Sequence, residues 1–147
     1  MKVVIIGAGF AGLTVAQKLA ANKGFEITII DKNPYQLFSP LLYQVATGGL
    51  PEDDIAYPIR AAIPGVNYLR GELIKINETE KNITLKDQSI IDYEYLVLAT
   101  GSTGNTFGIP GVKENTLQMK TIAEARAIKY QLLNMYEEIE AGHKPKD

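Results

Sequence analysis

Val3, Val4, Ile5 and Ile6 form a β-branched run that enters Gly7-Ala8-Gly9-Phe10-Ala11-Gly12 with no residue between. A helix-like stretch, Leu13 to Asn22, follows, and then a second apolar run (Ile27, Ile29, Ile30) that ends on Asp31. Strand, glycine turn, helix, strand and acid, in that order, predict a βαβ unit with a parallel strand pair. Each glycine has its own physical role. Gly7 permits a tight turn off the strand, Gly9 lets backbone approach a diphosphate closely, and Gly12 lets the helix lie tight on the sheet. The helix start offers unpaired N–H groups and a partial positive charge to phosphates. Asp31 follows Gly12 by 19 positions, close to the spacing at which a carboxylate meets a ribose 2′-hydroxyl. The same carboxylate would repel a 2′-phosphate. These residues together point to a bound dinucleotide.

Composition narrows the rest. A chain of 147 residues, 46% hydrophobic and 22% charged, fits a single globular domain. Net charge is −2 with acids and bases mixed along the chain, so there is no basic stripe and nucleic acid is not an expected partner. The absence of cysteine excludes disulfides, thiolate metal sites and a redox dithiol within the chain. No metal site is expected. No apolar run reaches the ~18 residues that span a bilayer. The apolar stretch after Met1-Lys2 is interrupted by the glycine turn and belongs to the first strand, so it does not read as a signal peptide. A cytoplasmic location, without membrane contact from this segment, is the expectation.

Beyond Asp31 the chain makes a long excursion, 32–65, punctuated by Pro34, Pro40, Gly48, Gly49, Pro51, Pro58 and Pro64. Two short helices are predicted there, near Leu41–Ala46 and from Pro58 to Ile63 with the proline at the first position. An excursion of this length is usually functional. A strand over Asn67–Arg70 follows. Then alternating positions (Ile74, Ile76, Ile83, Leu85), separated by turn-rich segments, predict an antiparallel meander of three strands over 71–77, 81–86 and 89–92. Tyr95-Leu96-Val97-Leu98-Ala99 is continuously apolar, as a parallel strand buried on both faces should be, and it ends in Thr100-Gly101. Thr121 with Glu124 forms a capping box for a last helix. Ile122, Ala125, Ile128, Leu132, Met135 and Ile139 keep helical spacing, and Gly142 and Pro145 end it. His143, the only histidine, is expected to be solvated.

Four stretches carry a resemblance to a known family: the glycine turn 7–12, Asp31-Lys32-Asn33-Pro34-Tyr35-Gln36-Leu37-Phe38-Ser39-Pro40-Leu41-Leu42-Tyr43-Gln44-Val45-Ala46-Thr47-Gly48, Pro58-Ile59-Arg60, and Tyr95 to Gly101. Together they closely resemble the N-terminal part of the single-subunit, non-proton-pumping (type II) NADH:quinone dehydrogenases, within the wider pyridine-nucleotide flavoprotein oxidoreductases. The segment from Phe38 to Gly48 is the most specific; the glycine turn and Ala99-Thr100-Gly101 are shared across the superfamily. The resemblance implies an α/β, Rossmann-like FAD-binding domain with a parallel sheet and a three-stranded antiparallel meander. It implies that the first βαβ unit binds FAD, with Gly7, Gly9, Phe10, Ala11 and Gly12 around the diphosphate. Asp31 would bond the adenosine ribose with Lys32 beside it, Ser39 and Pro40 would lie near the flavin, the Leu73 backbone would meet the adenine, and Thr100 and Gly101 would pass close to the cofactor. The disulfide reductases of the superfamily place a dithiol after the acid, but residues 35–48 contain no cysteine. That leaves hydride acceptance at flavin and release to a small acceptor, for which the resemblance implies a quinone.

The resemblance also implies that complete members continue past Asp147. They carry a second βαβ unit for NADH, a returning strand for the FAD domain, and a C-terminal region that meets the cytoplasmic face of the membrane. The chain is thus expected to be a partial FAD-binding domain over 1–147, weak in FAD binding and without turnover alone. It is also expected to self-associate, either through the sheet edge at Tyr95–Leu98 or by lending its terminal helix to a neighbour. Two other readings share the glycine motif: a non-catalytic dinucleotide-binding module, and the NAD-binding domain of another dehydrogenase. The meander argues against the last, because a plain doubly wound NAD domain places a helix there.

Overall fold

The structure, a computed structural model, describes residues 1–142. Its elements divide into two units, residues 1–37 with 57–102, and residues 38–56 with 103–142.

The first unit is built on a parallel sheet. Lys2–Ile6 (β1) pairs with Glu26–Asp31 (β2) on one side and Tyr95–Leu98 (β9) on the other, and Asn67–Arg70 (β5) pairs with β2. The order is β5-β2-β1-β9. Phe10–Ala20 (α1) joins β1 to β2. Because side chains alternate along a strand, β1 feeds two cores at once. Val3 and Ile5 pack with Leu13 and Ala16 of α1 and with Ile59 and Ile63, from and just after the short helix Ile59–Ala62 (α3). Val4 and Ile6 face the opposite way, onto Ile83 and Leu85 of the meander. That meander, Leu73–Asn77 (β6), Asn82–Leu85 (β7) and Ile90–Asp92 (β8), is antiparallel in the order β6-β7-β8. Every strand in this unit that the sequence pattern predicts is present.

Some expectations need correction. The first helix starts at Phe10 rather than Leu13 and ends at Ala20 rather than Asn22, so Phe10, Ala11 and Gly12 form its opening turn. The turn off β1 is complete by Gly9, which leaves the next residues free to coil. Pro58 is the N-cap of α3, not its first helical residue, because it still belongs to the extended Ala56–Pro58 (β4). β4 pairs with Tyr35–Leu37 (β3) in a two-stranded sheet that no sequence alternation announced. β9 is a parallel strand but not one buried on both faces. It lies at the sheet edge, with Tyr95 56% and Leu98 57% exposed.

The second unit holds a 3-10 turn (Ser39–Leu41), Leu42–Ala46 (α2), a second 3-10 turn (Glu52–Asp54), Val112–Asn115 (α4) and Ile122–Glu140 (α5). The predicted helix near Leu41–Ala46 is present, and the capping box forms: the Glu124 amide donates to Thr121 Oγ1 and the Thr121 amide to Glu124 Oε2. Gly142, at φ +76, donates to the Ile139 carbonyl and ends α5. His143 and Pro145 lie outside the described residues. Only the start of α5 is buried, at Ile122 and Ala125, while Leu132, Met135 and Ile139 are exposed. No helix among the described residues is long and apolar enough to cross a membrane.

Arg126 of α5 grips Glu52 through two hydrogen bonds, Nε to Oε1 at 2.7 Å and Nη2 to Oε2 at 2.5 Å. The hydrogen bond from Arg126 holds the Glu52 carboxyl below its ordinary value of 4.5. A carboxyl with a depressed folded-state value stabilises fully above its ordinary pKa, and that contribution is lost as pH falls through the depressed one. Glu52→Gln should therefore melt below the parent at about pH 7, and the gap should narrow at an acidic pH below the ordinary 4.5. Thermal melts at the two pH values check this; a gap independent of pH contradicts it.

Candidate functional site

Three strand ends converge on the glycine turn. The Gly7 amide donates to the Ile30 carbonyl of β2 at 2.7 Å, and the Ala99 amide donates to the Ile6 carbonyl at 2.7 Å. Gly7 has φ +100, and a Cβ there would lie 2.2 Å from the Ala99 oxygen. A Cβ on Gly12 would lie 1.8 Å from the Gly7 carbonyl oxygen, so glycine is what lets α1 seat against the turn. Gly9 differs: a Cβ there meets nothing within 4 Å, at an ordinary φ of −77°. The fold does not require glycine at position 9. The space beside it is open.

Gly9 is the N-cap of α1, and no side chain from that position caps the helix. The helix start, with its partial positive charge, lies at the carboxyl edge of the parallel sheet, where doubly wound folds place phosphates.

Asp31, the last residue of β2, points at this turn. Its Oδ2 accepts from the Ala8 amide at 2.7 Å and its Oδ1 from the Asn33 amide at 2.8 Å. The side chain thus ties the glycine turn to the end of β2. Each carboxylate oxygen has room for a second donor, so a ribose hydroxyl can be accepted in addition.

The remaining expected residues fall in distinct places. Lys32 lies on the rim of an open groove of about 410 Å³ lined also by Arg70, Gly71, Glu72, Leu85 and Lys86. Leu73 opens β6 opposite Leu85, beside that groove, and the ladder is irregular just after it. Thr100 and Gly101 continue from β9, next to Gly7; Gly101 has φ +71, a conformation that itself accounts for the glycine. Gly7, Gly9, Phe10, Ala11, Gly12, Asp31, Lys32, Leu73, Thr100 and Gly101 all belong to the first unit. Ser39 and Pro40 belong to the second, where both are exposed in the 3-10 turn.

Sequence reasoning missed Arg70, Glu72 and Lys86. Arg70 Nε donates to the Lys32 carbonyl at 3.1 Å, and Lys86 Nζ meets Glu72 Oε2 at 2.9 Å across the groove. That hydrogen bond lowers the Glu72 carboxyl and raises the Lys86 ammonium. Nothing in the linear pattern distinguished these charges from an ordinary solvated surface; only the pairing of β6 with β7 brings Glu72 and Lys86 together.

A family model, that of the pyridine nucleotide-disulphide oxidoreductases, matches residues 1–140. A type II NADH:quinone oxidoreductase of Staphylococcus aureus is 35% identical over 132 residues, which is 86% of this chain and 33% of that protein. The chain thus spans about a third of the length of the curated relatives it matches. Among solved structures, NDH2 from Plasmodium falciparum in complex with NADH superposes with a TM-score of 0.83 at 27% identity, covering 95% of this chain and 30% of that one. A sulfide:quinone oxidoreductase from Aquifex aeolicus gives 0.81 at 27% identity, over 92% and 32% of the two chains.

The glycines make opposite predictions. Gly12→Ala should cost roughly 3 kcal/mol of stability, because a backbone oxygen stands in the way. Gly9→Ala should cost no more than about 1 kcal/mol, yet weaken dinucleotide binding tenfold or more. Denaturant melts and nucleotide titrations of both variants check this, and normal nucleotide affinity in Gly9→Ala contradicts it.

Proposed function

The chain belongs to the pyridine nucleotide-disulphide oxidoreductase family, and from that premise we propose that it is the FAD-binding part of a type II NADH:quinone oxidoreductase. The observation that carries this reading is the pairing of an unfilled glycine at the start of α1 with the Asp31 carboxylate bonded to the amide beside it. The relative from Staphylococcus aureus and the NADH-bound neighbour support the same assignment.

On this reading the chain's own residues bind and orient. Gly9, Phe10, Ala11 and Gly12 present main-chain amides and the positive end of α1 to the FAD diphosphate, and Gly7, its own amide held by the Ile30 carbonyl, makes the turn beside them. Asp31 accepts the adenosine ribose hydroxyl. Lys32, the Leu73 backbone and the groove floor at Leu85 border the adenine. Thr100 and Gly101 flank the cofactor at the end of β9; for Ser39 and Pro40 the resemblance alone implies a place near the flavin. When bound, FAD supplies hydride acceptance from NADH and electron release to a quinone. Within these 147 residues the absence of cysteine denies the electrons a protein dithiol.

NADH, the quinone and attachment to the cytoplasmic face of the membrane belong to the longer protein of which this chain is the FAD portion. We include in the proposal that the chain alone holds FAD weakly, does not turn over, and self-associates through the exposed edge of β9. The full-length protein should be yellow, lose its flavin absorbance when mixed anaerobically with NADH, and regain it on addition of a quinone. A flavin-bound protein that NADH leaves oxidised, or a reduced one that quinone leaves reduced, contradicts the assignment.

A further inference from the structure

The Asp31 carboxylate is only as well aimed as the backbone it leans on. Its Oδ1 accepts from the Asn33 amide, and the direction of that amide depends on how residues 32–34 are held. Three successive carbonyls there each meet a donor from a later element. Lys32 O accepts from Arg70 Nε, Asn33 O from the Tyr68 hydroxyl at 3.0 Å, and Pro34 O from the Ile59 amide at 3.1 Å. The first donor is an exposed side chain and the third is main chain.

Tyr68 is a different kind of donor. It is 8% exposed and sits on β5 opposite Ile29, in the cluster between the sheet and α1. Every other buried residue of that cluster is aliphatic. The Arg60 guanidinium lies 5.0 Å over its ring centroid, which adds a cation–π contact on the ring face. A phenylalanine would fill the same volume, so packing accounts for the ring but not for the hydroxyl. The hydroxyl is accounted for by the Asn33 carbonyl. Burial, reinforced by the nearby charge of Asp31, pushes the phenol up from 10.0.

We propose that Tyr68 is a positioning residue of the nucleotide site: its hydroxyl holds the Asn33 carbonyl, and the Asn33 amide then aims the Asp31 carboxylate at a ribose 2′-hydroxyl. The chain of contacts runs from β5 through the 32–34 segment to Asp31 and on to the Ala8 amide in the glycine turn. It rests on the reading of Asp31 as the ribose ligand and names what holds that ligand in place.

The test uses the intact protein, freed of flavin and titrated with FAD or with an FAD analogue whose adenosine lacks the 2′-hydroxyl. Tyr68→Phe should weaken FAD roughly three- to tenfold, the loss expected for one misaimed hydrogen bond, and leave the analogue unchanged. Asp31→Asn should discriminate between the two ligands in the same way, and the double variant should be no weaker than Asp31→Asn alone. In the nucleotide-free protein, Tyr68→Phe should speed hydrogen exchange at the Asn33 amide while exchange within β2 stays unchanged. If Tyr68→Phe weakens both ligands equally, or neither, while Asp31→Asn still discriminates, the positioning role is overturned and the ribose reading survives. If exchange rises uniformly across β2 and β5, the hydroxyl serves folding and the proposal fails. If Asp31→Asn does not discriminate, both readings fall.

Discussion

At the carboxyl edge of the sheet, three stretches of backbone approach closer than any Cβ allows. The Gly7 carbonyl lies under α1 where a side chain on Gly12 would stand 1.8 Å away, and the Ala99 carbonyl lies 2.2 Å from where a side chain on Gly7 would be. These contacts set where α1 begins, how it crosses β1, and where β9 ends. With the helix start fixed, the turn that leads into it lies beside the end of β2. The Asp31 carboxylate reaches across to the Ala8 amide and closes that arrangement. Hydrogen bonds to an ionised group are worth about 1.5–3 kcal/mol each. Asp31 therefore serves the fold of the turn as well as any ligand it meets.

Much of this was readable in the sequence because the constraints are local. Gly7, Gly9 and Gly12 at fixed spacing, β-branched runs on both sides, and an acid after the second run leave little freedom. The strand at Asn67–Arg70 and the meander showed themselves through composition and period-two alternation. Two features were not legible for physical reasons. The pairing of β3 with β4 joins short segments far apart in sequence, and neither alternates. The grip of Tyr68, Arg70 and Ile59 on carbonyls 32–34 depends on main-chain acceptors, which carry no residue signature. The apolar run of β9 reports what a strand can pack against, and its place at the sheet edge is the one expected for Tyr95–Leu98. As an edge strand it leaves Tyr95 and Leu98 in solvent.

The second unit is held by different means. A capping box starts α5, a positive-φ glycine ends it, and the Arg126–Glu52 pair ties it to the segment after α2. Its helical spacing was plain in the sequence, yet burial stops after Ala125, so most of the apolar stripe on α5 is exposed. Periodicity identified the helix; it did not reveal how much of that face the unit covers.

The central claim is that main-chain amides at the start of α1 and the carboxylate of Asp31 form one preassembled site for a dinucleotide. A crystal structure of the protein with FAD bound tests it most directly. The account predicts diphosphate oxygens within about 2.7–3.2 Å of amides in the turn 9–12, and the adenosine 2′-oxygen within about 2.5–3.0 Å of Asp31. A diphosphate bound away from Gly9, or an Asp31 side chain turned from the ribose, would contradict it.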